Sequence, residues 1–225
     1  MNAPAPRSRW LAAALFLALA GGSVPAASQL AFGDDDRVPL GALLEVIVEG
    51  EELFAFDAQT GGTSVERLRV GETVLWSDSR GLLAVVITDQ RILAIATRSS
   101  RWQSVDYERR EPPPRSALLG DRVALVPLAR RVLGFLGTTS RFSEERLGPH
   151  QELRATRVGA NVGIVVTDRE ALGLSPSAGG FFPIRLQLKE KIRAVEAASN
   201  LATVRTSQRI LVFRSPSGTW AERRH

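Results

Sequence analysis

The chain repeats itself every 39 or 40 residues. Five apolar tetrads align without internal gaps: Leu53-Phe54-Ala55-Phe56, Ile92-Leu93-Ala94-Ile95, Val132-Leu133-Gly134-Phe135, Ala171-Leu172-Gly173-Leu174 and Ile210-Leu211-Val212-Phe213. Their last residues stand at 56, 95, 135, 174 and 213, in steps of 39, 40, 39 and 39. Five positions beyond each tetrad comes a small residue (Gly61, Ser100, Ser140, Gly179, Gly218). Seven beyond comes Thr63, Trp102, Phe142, Phe181 or Trp220. Three copies share an upstream turn, Thr88-Asp89-Gln90-Arg91, Thr167-Asp168-Arg169-Glu170 and Thr206-Ser207-Gln208-Arg209, and a second apolar stretch precedes the turn. Self-similarity at one fixed period restricts the chain to like units stacked on one another.

Each unit reads as β. The apolar runs are short, rich in Val, Ile, Leu and Phe, and separated by Asp, Ser, Gly and Thr clusters too closely spaced for helices. In the second unit the expected strands are Thr73 to Ser77, Leu82 to Ile87, Arg91 to Ala96 and Arg101 to Tyr107. The turn at Asp89-Gln90 joins two of them as a hairpin, and Arg98-Ser99-Ser100 joins the next pair; a small residue there tolerates positive φ. The middle two strands are apolar at nearly every position and predict burial on both faces. The last strand alternates and predicts an outer strand with one face in water. A four-stranded sheet that is apolar on both faces must stack against copies of itself. Radial stacking of such sheets predicts an all-β fold, a small β-propeller of about five four-stranded blades. A set of pleckstrin-like β-domains would compete, but it needs a helix per domain. The best helical candidate, Leu186 to Ala198, covers two strands in the repeat alignment.

The segment Ala55-Phe56-Asp57-Ala58-Gln59-Thr60-Gly61-Gly62 resembles the hairpin of quinoprotein-type and related β-propeller repeats, which read roughly Ala-Leu-Asp-Ala-x-Thr-Gly. Those repeats place a Trp four residues after the Gly. Here Val65 stands there, and Trp102 and Trp220 fall two after their small residue. The resemblance implies the blade architecture from Leu40 to His225, no functional residue and no cofactor. Pro112-Pro113-Pro114 excludes a paired central strand at that point of the third unit. The innermost strand of the first unit is expected at roughly Gly33 to Val38.

Residues 1–28 read as a signal peptide, with 29–39 as an approach segment and 40–225 as the repeat domain. Arg7 and Arg9 precede an apolar run, Trp10 to Ala20, too short to span a bilayer comfortably; Gly21, Gly22 and Pro25 break it, and small residues follow. A periplasmic or secreted location is expected, with no stable membrane insertion after cleavage. The chain has no cysteine, which removes disulfides, thiolate metal sites and a Cys nucleophile. The formal charge is +5, two of its arginines lie in the leader, and arginine and glutamate are interspersed without a basic stripe. Nucleic acid is therefore not expected as a partner.

His150 and His225 lack any motif around them, so neither a Ser-His-Asp triad nor a histidine metal site is expected. Asp34-Asp35-Asp36 lacks the glycine and the ligand spacing of a calcium loop and reads as a solvated segment. The Thr-Asp-Gln-Arg turns recur with the repeat and read as structural, as do Trp102, Phe142, Phe181 and Trp220. Non-repeating polar residues on the innermost strands are the better candidates, because propeller ligands sit where those strands converge. They are Trp76, Asp78, Arg154, Arg157, Arg193 and Glu196. Arginines there could clamp a carboxylate or phosphate; Asp78 and Glu196 could serve as an acid–base pair in a glycosidase; mutual neutralisation across the channel requires no substrate. The function expected is an exported, non-catalytic binding or scaffold propeller for a protein or cell-envelope partner. The alternatives are a carbohydrate-binding or glycoside-hydrolysing five-bladed propeller and a self-associating structural domain.

Overall fold

The computed structural model describes residues 41–97, 99 and 101–225. The signal peptide, the aspartate cluster and the expected strand near residues 33–38 lie outside the described residues. The rest is all-β: nineteen strands in five successive antiparallel sheets. The first contains β1 (Leu44–Glu49), β2 (Glu52–Asp57) and β3 (Thr63–Arg67). The second contains β4 (Val74–Arg80), β5 (Leu83–Thr88), β6 (Arg91–Ala96) and β7 (Gln103–Asp106). The third contains β8 (Leu118–Leu119), β9 (Val123–Pro127), β10 (Arg131–Leu136) and β11 (Arg141–Arg146). The fourth contains β12 (Leu153–Val158), β13 (Gly163–Thr167), β14 (Glu170–Ser175) and β15 (Gly180–Arg185). The fifth contains β16 (Ile192–Ala197), β17 (Leu201–Thr206), β18 (Arg209–Arg214) and β19 (Thr219–Arg224).

Each sheet is an up-and-down meander whose strand order follows the chain. This is the blade pattern of β-propeller repeats, with two departures. The first sheet has three strands among the described residues, and the third has an innermost strand of only two residues. The proline run at 112–114 explains the second: it removes three donors in a row just before β8, and the chain there runs as a loop. The hairpins between the third and fourth strands of the blades turn at the expected small residues. Gly61, Ser140, Gly179 and Gly218 all have positive φ, which only small or short polar residues adopt cheaply.

The core is a series of junctions between sheets, each filled by its own buried side chains. Leu44, Leu53 and Ala55 pack on Ala84, Val86 and Ile95, joining the first two sheets. Val85, Ile87 and Ala94 pack on Val126, Leu133 and Phe135. Val123, Leu125 and Leu136 pack on Val165, Leu172 and Leu174. Val162, Ile164 and Ala171 pack on Val204, Leu211 and Phe213. Every residue of β5 and β6 is buried, because alternate side chains enter the junctions on either side. Trp102, Phe142, Phe181 and Trp220 flank successive junctions, one each. Among the described residues, no buried cluster joins the first sheet to the fifth.

Backbone hydrogen bonds tie the sheets along their inner edge at the same period. The N–H groups of Leu43, Leu82, Arg122 and Asn161 donate to the carbonyls of Gly81, Asp121, Ala160 and Ser199 at 2.7–2.9 Å. This approach leaves no room for a side chain: a Cβ at Gly120 would lie 2.0 Å from the Gly159 carbonyl oxygen, and one at Gly159 would lie 1.8 Å from that of Ala198. Gly159→Ala is therefore expected to lower stability by about 1–3 kcal/mol or more through forced backbone displacement. Gly180→Ala, whose Cβ would meet only Ser143 Oγ at 3.4 Å, should stay within about 0.5 kcal/mol. Urea midpoints of the two variants check the contrast.

Candidate functional site

The most conspicuous charged residues serve as latches between blades. Arg91, at the start of β6, is almost wholly buried, and its Nε donates to Glu72 Oε1 at 2.9 Å; the Glu72 side chain is fully buried. Its Nη1 meets Glu66 at 2.9 Å, and its Nη2 donates to the Arg67 carbonyl of the preceding blade at 2.9 Å. Arg131 repeats the loop carboxylate and the carbonyl, with Glu111 at 2.6 Å and Asp106 at 2.9 Å, but takes its second carboxylate, Glu144 at 3.0 Å, from its own blade. Arg209 repeats it with Glu190 at 3.0 Å, Glu222 and the Arg185 carbonyl at 2.7 Å. The fourth blade swaps donor and acceptor and has no ion pair here: the neutral Gln151 Nε2 donates to Glu170 Oε1 at 2.7 Å. The signal was present in the chain as an acid or amide 19 or 20 residues before each of these positions, but its partner lay in a loop outside the aligned strands.

The recurring turns complete the latch. The Thr88 hydroxyl accepts from the Arg91 N–H at 2.9 Å and donates to Glu72 at 2.7 Å. Asp89, Asp168 and Ser207 each accept a cross-strand N–H, from Thr73, Glu152 and Lys191, at 2.9–3.0 Å. Burial pushes the Glu72 carboxyl up, but hydrogen bonds from Arg91, the Arg69 N–H and Thr88 outweigh it and hold the group below its ordinary value. Glu111 and Glu190 are lowered in the same way, against burial, chiefly by Arg131 and Arg209. Glu145 moves the other way: burial raises it and the Glu170 charge adds to the shift.

The sequence-predicted residues lie elsewhere, on the innermost strands. Trp76 is half-buried against the cluster between the second and third sheets, so it packs. Asp78, Arg157 and Glu196 occupy one repeat position, opposite Val85, Ile164 and Thr203 of the neighbouring strands, and all three are exposed. Asp78 Oδ1 accepts its neighbour Ser79's N–H at 2.8 Å, whereas Glu196 pairs with Arg205 at 2.5 Å. The two carboxylates make no bond to one another, and the third and fourth sheets separate their strands in the order of the blades. Arg157 donates to the Thr156 carbonyl at 2.9 Å.

Arg154 and Arg193 share a device that sequence reasoning missed. In β4, β12 and β16 the register slips between Val74 and Trp76, Leu153 and Ala155, and Ile192 and Ala194. The extra residues at these bulges are Leu75, Arg154 and Arg193, and all three are exposed. A bulge re-aims one side chain out of the pleat without breaking the sheet. Arg154 meets Glu152 at 2.8 Å with both side chains more than half exposed, and Arg193 makes no side-chain hydrogen bond or ion pair among the described residues. The innermost strands of the fourth and fifth blades thus present three arginines to solvent.

No protein-family model matches the chain. No curated protein matches it. Solved structures similar to it include Prp20p from Saccharomyces cerevisiae, a protein with binding properties to Gsp1p and histones, at 9% identity and TM-score 0.42. Apo AztD from Citrobacter koseri follows at 14% and 0.37, and Hsv2 from Kluyveromyces lactis at 7% and 0.37. The alignments cover 78%, 80% and 82% of this chain, and 56%, 58% and 61% of those proteins. The chain thus spans little more than half the length of these structures.

Arg91→Met is expected to cost about 3–5 kcal/mol, because it strands the buried Glu72 carboxylate; Glu72→Leu with Arg91→Met should recover much of that loss. Urea unfolding of the single and double variants checks it. Glu72, Glu111 and Glu190 have folded values below their unfolded ones, so their contribution is present above the unfolded carboxylate pKa of about 4.3 and is lost as pH falls through the folded values. Midpoints measured from pH 7 down to 3 should fall in that window, less steeply in the double variant.

Proposed function

We propose that the chain is an exported, non-catalytic binding and scaffold module of β-propeller type. Its contact face is formed by the innermost strands of the fourth and fifth blades and takes carboxylate or phosphate groups of a protein or cell-envelope component. The observation that carries this reading is the repeated bulge. It lifts Arg154 and Arg193 out of the sheet at the same place in consecutive blades, with Arg157 three residues beyond the first. The buried arginines are consumed by the latches, but these exposed ones do no comparable structural work. Guanidinium groups at fixed spacing on rigid strands suit planar anionic groups. The leader-like N-terminus supports export.

The reading is tested with the full chain and two named probes, polyphosphate and polyglutamate. The chain should bind at least one of them, and the triple variant Arg154→Ser, Arg157→Ser, Arg193→Ser should lose about tenfold or more of that affinity with an unchanged urea midpoint. Equal binding by the variant, or none by the parent to either polymer, rejects the contact face. Export is checked by fractionating a bacterium that expresses the chain: a periplasmic product lacking about the first 26 or 28 residues is expected, and full-length material held in the cytosol rejects it.

A further inference from the structure

Every blade has a leading face, toward the blade before it, and a trailing face, toward the blade after it. At the internal junctions both are buried. The first blade has no described neighbour on its leading face, and the fifth has none on its trailing face. Both remain substantially apolar and open. On the first, Ile47 is 47% exposed, Phe56 43% and Val65 51%. They share a face with Phe54, since Ile47, Phe54 and Val65 are cross-strand neighbours. On the fifth, Leu201 is 46% exposed beside the half-buried Ile210 and Val212. By the repeat, Ile47, Phe54 and Phe56 stand where the second blade has Val86, Leu93 and Ile95, all buried in its junction with the first.

The two open faces carry opposite charge. The leading face of the first blade bears Glu45, Glu49 and Glu52 against Arg67 alone, and Arg67 is spent on Glu52 at 3.3 Å. The trailing face of the fifth bears Arg205, Arg214 and Arg223 against Glu196 alone, which is spent on Arg205 at 2.5 Å. Among the described residues, Glu45 and Glu49 have no ion pair, and neither have Arg214 and Arg223. The repeat register also matches positions across the two faces. Arg205 stands where Ile87 lies in the second blade, clustered with Leu128, and Glu49 stands where Leu128 lies in the third. Val212 stands where Gly134 and Gly173 approach Leu174 and Phe213, and Phe56 stands where those two side chains lie. The inner-edge series of backbone bonds stops at the same place. Its next donor by period is the Asn200 N–H, and the acceptor one repeat before Gly81 is the Ala42 carbonyl; the two do not bond within the chain.

We propose that copies of this chain associate head to tail, the basic trailing face of one fifth blade docking on the acidic leading face of the next copy's first blade. The contact follows the plan of an internal junction between chains, seated wider at Val212, which has a side chain where Gly134 and Gly173 have none. It is heterologous, because the two surfaces differ, so it generates closed rings or open filaments rather than a two-fold dimer. Its charges steer the encounter and fix the register, while the apolar centre supplies burial.

The absence of cysteine makes the test direct. Full chains carrying Val212→Cys and Phe56→Cys separately should cross-link when mixed and oxidised, each alone giving far less dimer, and the double variant should give intermolecular multimers. Sedimentation velocity of the parent should show concentration-dependent assembly that weakens from about 0.05 to 0.5 M salt, as the charged rim is screened. Arg205→Glu or Glu49→Arg alone should weaken assembly about tenfold or more, and mixing the two variants should restore a pairwise complex. Unchanged circular dichroism of the single variants separates lost docking from lost fold. A parent that sediments as a monomer at every concentration overturns the proposal. So does a double-cysteine variant that closes only within one chain, which would mean that the fifth blade docks on its own first blade. Retention of assembly by the arginine triple variant of the contact face keeps this result separate from the anion-binding reading.

Discussion

The structure depends on face-to-face burial between neighbouring sheets. A strand pair such as β5 and β6 is apolar on both sides, so a sheet in the middle of the series buries both faces only with a neighbour on each side, which offsets its lost conformational entropy. No blade can meet that need alone. This is why the core is divided among four junctions and is not one central mass, and why the junctions use the same residue positions from one to the next.

The close approach of the blades imposes the other features. Glycines at 120, 134, 159 and 173 stand where a Cβ would strike the neighbouring blade. The latches answer a second demand of close packing. Each buried arginine satisfies a carbonyl of the preceding blade that the meander leaves without a strand partner, and a glutamate balances its charge. A buried ion pair adds little net stability over an apolar substitute, but it fixes position. The exposed arginines of the inner strands and the open terminal faces are what remains after these structural demands are met, and both can be used for recognition.

Much of the fold was legible because the period-two alternation and the 39-residue period are written in side-chain hydrophobicity. Arg91 to Ala96 matches β6 residue for residue, and Leu82 to Ile87 differs from β5 by one residue at each end. The outer strand expected at Arg101 to Tyr107 is shorter, Gln103 to Asp106, but its alternation gives β7 one wet face. The third blade's short β8 follows from a proline run visible in the chain. The candidate site was less legible. Trp76 was chosen as polar and non-repeating, yet its ring belongs to a junction. The latch pairs were missed because their acids sit in loops, where hydrophobic periodicity carries no information. The bulges at Leu75, Arg154 and Arg193 were missed because a register slip belongs to a pair of strands and leaves no mark in either one.

The sequence alone determined that like β units follow one another at a constant interval, that their inner strands are apolar on both faces, and that tight glycine-like turns close their outer hairpins. These are properties of single strands and single turns, set by local sterics and by which side chains water rejects. Only the tertiary structure decided which arginines are buried against glutamates and which face solvent, where backbones touch too closely for a Cβ, and that, among the described residues, the first and last blades each keep an apolar face uncovered with opposite charge around it. Those outcomes depend on the distance between residues far apart in the chain, and that distance is set by how one sheet seats on the next.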